Sequence, residues 1–439
     1  MNTNAFRLLL LTVVLYIAAL TLGLRLLYYL SYVLSAVLIC SWFWARLNLS
    51  ALDIRREARR QQAQVGDVFE ETFLVRNRSI IPKLWVEVRD HSTLPGHQAA
   101  AVISIAGDKS KRWRVRTLTR RRGLYQLGPL TAISGDPFGL FRSWRTVPEM
   151  GELLVYPATV DLSQFGLPSG EMPGGNAVRG RSMSTTPNAS GIREYLAGDP
   201  LNRIHWGATA RYQRLMVKEF ELDPTSNIWI VLDLDRAVHL SAPAAAGDAP
   251  RAIGDTRMLH VRGAVEPTSD PDAGRPIYLD PETEEYAVTI AASLAAHFIQ
   301  QGRDVGLLAT AHHPLIIDPE RGARQLVKLL RTLAVVRAED PLPLAQMLVG
   351  QSTQFGRGDS LVIITPSTSE TWVAALNEIT TRGARAAAIL IEPHTFGSSQ
   401  SSIMTVGALA AVDIPSYLVK RDDTLELVLS REMAHGHLR

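Results

Sequence analysis

Two uncharged apolar runs, residues 8–24 and 26–45, separated only by Arg25, constrain this chain more than any other feature. Each is close to the ~20 residues a helix needs to cross a hydrocarbon core. The pair predicts a transmembrane helical hairpin over residues 1–48, with a very tight turn near Gly23–Arg25. A cleaved signal peptide is the rival. It would want a stronger basic start than Arg7 alone and no second apolar run directly behind the first. Tyr28, Tyr29, Tyr32, Trp42 and Trp44 suit membrane–water interfaces. Arg46, Arg55, Arg56, Arg59 and Arg60 follow the second run, whereas the turn offers only Arg25. The positive-inside bias therefore predicts a multi-pass plasma-membrane protein with its soluble bulk cytoplasmic. Arg55–Arg60 read equally well as contacts to anionic lipid head groups or as a solvated basic spacer.

From about residue 62 the texture is β. Asp67–Asn77 and Leu84–Arg89 alternate apolar and polar side chains, as half-buried strands do. Ala100–Ile105, Lys111–Leu118 and Leu153–Tyr156 are further strand candidates. Short strands with Gly, Pro and Asn between them predict an antiparallel β-sandwich-like domain over 49–158. The Arg120–Arg122 triplet reads either as a phosphate contact or, in preference, as a solvated strand edge that deters pairing.

Residues 159–227 read as a linker carrying a dense segment at 191–221. From Ile228 onward, near-continuous apolar strands (228–234, 305–309, 361–365, 386–391, 416–419) alternate with helical stretches (282–300, 321–336, 370–381, 402–411). This pattern predicts an α/β domain over 228–439, a doubly wound, mostly parallel sheet covered on both faces. Residues 241–279 are rich in Ala, Pro, Gly and Asp and read as an exposed insertion.

The first of these strands ends in Asp233-Leu-Asp235-Arg236-Ala237. This position resembles the von Willebrand factor A domain, whose strand-end Asp-x-Ser-x-Ser supplies oxygen ligands to magnesium. Here Asp235 replaces the first serine, Ala237 offers no side-chain oxygen, and Pro366 stands where a second aspartate would fall. Asp233 and Asp235 are the candidate metal ligands of a degraded site, with no cofactor as the expectation and weak magnesium binding as the alternative. Otherwise Asp233 caps a turn and Asp235 is solvated.

Lysine plus arginine number 46 and aspartate plus glutamate 43, a balance that argues against a dedicated nucleic-acid binder. The single cysteine, Cys40, excludes an intrachain disulfide or a cysteine metal site. Within 191–221, Glu194, Asp199 and His205 are acid–base types, but no nucleophile stands beside them at a recognised spacing. Gly198-Asp199-Pro200 reads as a tight turn, 202–214 as a helix and 215–222 as a strand. The arginines more plausibly pair with nearby carboxylates, which makes the segment an ordered joint between domains.

The chain resembles, over nearly its full length, the bacterial and archaeal family known as domain of unknown function fifty-eight. The resemblance rests on the two apolar spans, Arg122-Gly-x-Tyr-x-Leu-Gly-Pro129, Asp136-Pro-Phe-Gly-Leu-Phe141 and Val155-Tyr-Pro157. Most specific is the signature containing Arg193, Glu194, Tyr195, Gly198, Asp199, Pro200, Arg203, His205 and Trp206, continued by Arg211, Lys218 and Glu219. It implies a membrane-anchored protein with a von Willebrand A-like domain, associated with MoxR-type AAA+ ATPases. The expected function is a non-enzymatic interaction or assembly module that binds membrane lipid and an AAA+ ATPase or other envelope protein. The alternatives are an enzyme with an acid–base site around His205 and, third, weak nucleic-acid or anionic-lipid binding through arginine clusters.

Overall fold

The computed structural model describes residues 3–58, 60–162, 165, 189–194, 206–220, 227–241, 253, 255–256, 275–311 and 313–430. They divide into two compact units. The first comprises 1–161, 244–281 and 327–337; the second comprises 162–243, 282–326 and 338–439.

The first unit opens with α1 (Thr3–Leu22) and α2 (Arg25–Leu49). Both are long and apolar enough to cross a membrane. Gly23 takes φ +67° between them, a left-handed conformation that glycine adopts without steric cost. Large side chains such as Leu20, Leu26, Val33 and Phe43 stand bare on the pair. A core helix of a water-soluble protein would bury them.

Ten strands follow: β1 (Leu52–Ala58), β2 (Gln62–Gln64), β3 (Val68–Asn77), β4 (Lys83–Asp90), β5 (Ala101–Ile105), β6 (Ser110–Leu118), β7 (Gly123–Leu127), β8 (Leu130–Gly135), β9 (Arg142–Val147) and β10 (Gly151–Tyr156). The sheets β1-β3-β6 and β5-β4-β8-β9 are antiparallel. They enclose one core in which Ile54, Phe73 and Val75 meet Val86, Ile103 and Leu130. A third sheet, β2-β10-β7, mixes one parallel and one antiparallel ladder. The alternation read in 67–77 appears as every second side chain of β3 turned inward.

Two arginine expectations are overturned. Arg56 is neither a solvated spacer nor a lipid contact: it lies in β1 with its side chain only 4% exposed. Leu52, Ile54 and Arg56 take alternate inward positions, and the arginine hid the period. Arg122 is no solvated edge. It is fully buried, and its Nε and Nη2 donate to the Leu333 and Val336 carbonyls at 2.9 and 2.8 Å. These are carbonyls at a helix C-terminus, which lack intrahelical partners.

The last turn of α2 is bonded into the sandwich. Asn48 Oδ1 accepts from the Leu84 amide at 3.0 Å, and its Nδ2 donates to the Leu84 carbonyl and to Ser134 Oγ. Lys83 is fully buried, and its Nζ donates to the Leu47 carbonyl. Burial pushes its pKa down.

The chain continues through β11 (Ala189–Glu194), α3 (Trp206–Tyr212), β12 (Met216–Phe220), β13 (Ile228–Leu232), β14 (Asp255–Thr256) and β15 (Arg275–Pro276). Beyond them lie α4 (Thr283–Gln300), β16 (Val305–Ala309), β17 (Leu315–Glu320), α5 (Ala323–Val335), α6 (Leu344–Gly350), β18 (Ser360–Thr365), α7 (Thr371–Thr381), β19 (Arg385–Ile391), α8 (Ile403–Ala411), β20 (Ser416–Val419) and α9 (Leu425–Ser430). In the second unit the sheet order is β17-β16-β13-β18-β19-β20, parallel except for β17. Trp229, Leu361, Ile363, Trp372 and Leu390 share a core cluster there. The fold is therefore two apolar helices, a β-rich region and a mixed α/β sheet.

The 241–279 insertion is not simply exposed. Ile253 and Ile277 are fully buried and bonded backbone to backbone, and β14 pairs with β15. The start of the 159–227 linker is also anchored: Thr159, Val160, Leu162 and Phe165 are buried.

Asn48→Ala is expected to cost about 1–3 kcal/mol, because it removes a buried side chain that bonds the Leu84 backbone and the buried Ser134 hydroxyl. Faster hydrogen exchange at the Leu84 amide would report it; unchanged exchange would remove Asn48 from the joint.

Candidate functional site

Open parallel sheets gather ligands at the carboxyl ends of their strands. Asp233 and Asp235 follow β13 at that end, and both are buried. Asp233 Oδ2 accepts from Thr365 Oγ1 at 2.6 Å, and Oδ1 accepts from the Asp235 amide at 3.1 Å. Burial pushes the Asp233 carboxyl up, and hydrogen bonds from Thr365, the Asp235 amide and Thr310 offset part of that, leaving it at about 6. Asp235 is not solvated: its Oδ1 accepts from the Ala237 amide at 2.9 Å and closes the turn. His239 bonds the Asp233 carbonyl at 2.8 Å through Nε2 and Thr283 Oγ1 at 3.0 Å through Nδ1. Thr310, Thr365 and His239 were all passed over in the sequence, since isolated hydroxyls and one histidine carry no spacing signal.

This donor set does not fit a magnesium ion, which requires near-octahedral oxygen ligation. Thr365 Oγ1 is engaged by Asp233 and by the Ser367 amide at 2.8 Å. Thr310 Oγ1 accepts from the Leu234 amide. Ala237 adds no side-chain oxygen. The loops after β13 and β18 instead line an open cleft of about 350 Å³, rimmed by Ala237, Pro366, Ser367, Thr368, Ser369 and Gln400. The acids are buried, whereas Ser369 on the rim is exposed.

The signature segment forms a separate small structure. β11 and β12 pair antiparallel, with Arg193 opposite Val217, Glu194 opposite Met216, Lys218 opposite Ile192 and Glu219 opposite Gly191. Thr209 Oγ1 on α3 accepts from the Met216 amide at 3.0 Å. Trp206, expected as an internal tie, is 68% exposed, and Arg211 is exposed in the last turn of α3. Tyr195, Gly198, Asp199, Pro200, Arg203 and His205 lie outside the described residues.

A second cluster, absent from the sequence reading, sits inside the β sandwich. Arg56 Nη2 meets Asp90 Oδ1 at 2.5 Å, and Arg56 Nε meets Glu71 Oε2 at 3.5 Å. His97 Nε2 lies 3.0 Å from Asp90 Oδ2 and 3.4 Å from Glu71 Oε2, while its Nδ1 bonds Thr117 Oγ1 at 2.8 Å. Ser92 Oγ donates to Asp90 at 2.7 Å. The candidate ligand atoms of Glu71, Asp90 and His97 lie within 4.8 Å of one another, close enough for a metal. Charge balance is nevertheless complete without one: two carboxylates face the guanidinium of Arg56 and a protonated His97. Burial opposes charge on the His97 ring, but its bonds to Asp90 and Glu71 outweigh that and raise it to about 9. Burial likewise opposes charge on Asp90, and the bonds from His97, Ser92 and Arg56 prevail, holding it at about 2.

Residues 191–244 match the family model described as protein of unknown function DUF58. The chain carries a DUF58-family segment. Over 199 residues it is 24% identical to a Bacillus subtilis protein described as uncharacterized protein YeaD, covering 42% of this chain and 48% of that relative. The match thus spans about half the relative's length. Among solved structures, the CARDB domain of a Pyrococcus furiosus protein is similar at 14% identity and a TM-score of 0.19, over 24% of this chain and 94% of that one. A beta-glucosidase from Listeria innocua is similar at 10% identity and a TM-score of 0.17, over 24% and 16% of the two chains. The DUF58 match covers the last four residues of β11, then α3, β12 and β13, and reaches past Asp233 and Asp235, so it joins the signature to the first strand of the α/β sheet.

Two outcomes are expected. Thr365→Val removes a donor from a buried carboxylate and should cost about 1–3 kcal/mol in urea unfolding. The loss should be larger at pH 8, where Asp233 is ionised, than at pH 5; equal losses would mean Asp233 stays neutral. In the sandwich, the folded chain keeps a proton on His97 that the unfolded chain loses above its ordinary 6.5. That stabilisation is complete below about 6.5 and disappears as pH rises through about 9. Asp90 acts in the other direction: its contribution is complete above about 3.8 and is lost as pH falls through about 2. The unfolding midpoint should therefore drop between pH 6.5 and 9.5. His97→Gln should flatten that drop while itself costing about 3–5 kcal/mol, as breaking a buried charge network does.

Proposed function

We propose that this DUF58 protein is a membrane-anchored, non-enzymatic interaction or assembly module. Its soluble units lie on the cytoplasmic face, and it works with a MoxR-type AAA+ ATPase. The carboxyl-end cleft of the α/β sheet is the docking face. The observation that carries this reading is how its polar groups are bonded: both oxygens of Asp233 and Oδ1 of Asp235 accept hydrogen bonds from within the domain, while the rim includes Ser367, Thr368 and Ser369. A reaction centre needs an activated nucleophile or a free acid–base group at its surface. A rim of short hydroxyls suits hydrogen bonding to a partner's backbone or carboxylates.

The sheet order supports a von Willebrand A-like reading, with an antiparallel edge strand beside β16 and an aspartate after the first strand. The donor set supports a version of that domain that binds without a resident metal. The bare α1–α2 pair supports anchorage. Arg46 in the last turn of α2 and Arg60 beyond β1 support the cytoplasmic orientation. The ATPase partner is drawn from the family resemblance.

The test is co-purification of the full chain, solubilised in mild detergent, with the MoxR-type ATPase of the same cell. Thr368→Asp/Ser369→Asp should reduce ATPase recovery about tenfold while leaving the unfolding midpoint in place. Recovery equal to the unaltered chain would remove the cleft as the docking face. Protease digestion of the soluble units in inverted, but not in right-side-out, vesicles should report their cytoplasmic side.

A further inference from the structure

We infer that the end of α2 and the neighbouring edge of the β sandwich form a binding site for an anionic phospholipid head group. The inference rests on the membrane-anchorage part of the preceding reading.

The first observation is a seat on the helices. Leu140 and Phe141, in the loop between β8 and β9, pack with Ala5 and Leu8 of α1 and with Val37 and Leu38 of α2. Leu38 lies eleven residues before the end of α2, so the loop runs along the apolar helices well inside the span. At ~1.5 Å of rise per residue, that is roughly 16 Å from the helix end. A loop at that depth carries its neighbours to the bilayer interface. Phe138 is 67% exposed and Trp144 is 73% exposed, two large aromatic side chains with no protein cover on that side of the unit. Aromatic rings of this kind are stable at the head-group layer.

The second observation is charge. An open cleft of about 770 Å³ lies between the end of α2 and β9, lined by Trp42, Arg46, Phe141, Arg142, Trp144 and Arg145 among others. Arg46 stacks its guanidinium over the Trp42 ring at 4.7 Å, which leaves its charge at the cleft. Arg145 donates to the Leu52 carbonyl at 3.2 Å. Among the described residues, no carboxylate lies within 4.0 Å of Arg46, Arg142 or Arg145, whereas Arg112, Arg114 and Arg116 on β6 each meet a glutamate. Three unneutralised guanidinium groups around one cleft call for an anion, and guanidinium geometry matches phosphate in a bidentate fashion. The apolar helices beside the cleft offer a surface for the acyl chains. A phospholipid with a net negative head group satisfies both requirements; a free phosphate satisfies only one.

The test uses the full chain in nanodiscs of phosphatidylcholine with or without phosphatidylglycerol, and native mass spectrometry to count lipids retained on release. Phosphatidylglycerol should be enriched on the protein several-fold over its share of the bilayer. Arg46→Gln/Arg142→Gln should bring that enrichment down close to the bilayer share, in line with the attraction each basic residue feels near an anionic surface. Arg145 is left intact because it bonds Leu52. Unaltered enrichment in this variant, with an unchanged unfolding midpoint, overturns the site. Inorganic phosphate at millimolar concentration should not displace the lipid; displacement would reassign the cleft to a soluble anion and overturn the lipid assignment. Carbonate washing of native membranes separates the two readings. Release of the unaltered chain would refute anchorage itself, whereas retention without lipid enrichment would refute only this site.

Discussion

The join between α2 and the β sandwich is the constraint on which the first unit depends. A helix that ends inside a protein must find partners for its last carbonyls. Here Lys83 takes the Leu47 carbonyl, and Asn48 reaches sideways to both backbone groups of Leu84. The helix therefore has no hinge before β1. An apolar helix pair and a polar sandwich are held as one body, and the loop bearing Leu140 and Phe141 adds a second, apolar fastening along the helices. Two fastenings at different heights set the tilt of the sandwich against the helix pair, where one would leave a pivot.

Buried charge recurs across the molecule, and each instance is settled differently. Lys83 and Arg122 donate to backbone carbonyls. Arg56, Glu71, Asp90 and His97 balance one another as a quartet. Asp233 has hydroxyl and amide donors but no cation, and burial dominates its titration. The quartet links β1, β3, β4 and β6 through side chains, across both sheets of the sandwich. Its four charges oppose one another with no water to screen them, so losing any one leaves the others uncompensated. This favours a unique register of the strands over extra stability.

Much of the architecture was legible in the sequence because it rests on periodicity. The two apolar runs, the alternation in β3 and β4, and the continuous apolar strands β13, β16, β18 and β19 all announce themselves. What escaped did so for physical reasons. β1 has Arg56 at an inward position, and an arginine reads as surface unless its counter-ions, fifteen and thirty-four residues away in β3 and β4, are known to be near. β17 is an antiparallel edge strand in a parallel sheet, half exposed, with Pro319 within it. The short helix α6 follows Pro343 and has too few residues to show a period. Around Asp233 the partners Thr365 and Thr310 come from two other strands, and no spacing along the chain points to them.

The same reasoning bears on what the carboxyl-end cleft does. A strand-end aspartate in an open α/β sheet is the natural place to seek a cation or a reacting group, and two aspartates there strengthen that expectation. The hydrogen bonds reverse it. Thr365 and the Asp235 amide bond both oxygens of Asp233, and the Ala237 amide bonds Oδ1 of Asp235, so three of the four oxygens that would bind a ligand are engaged already. Opening them to a metal would strip the Thr365 and Ala237 donors and leave the Ser367 loop without its anchor on Thr365. The carboxylates thus act as struts for the loops that form the rim. The DUF58 match runs on through the strand that precedes those struts.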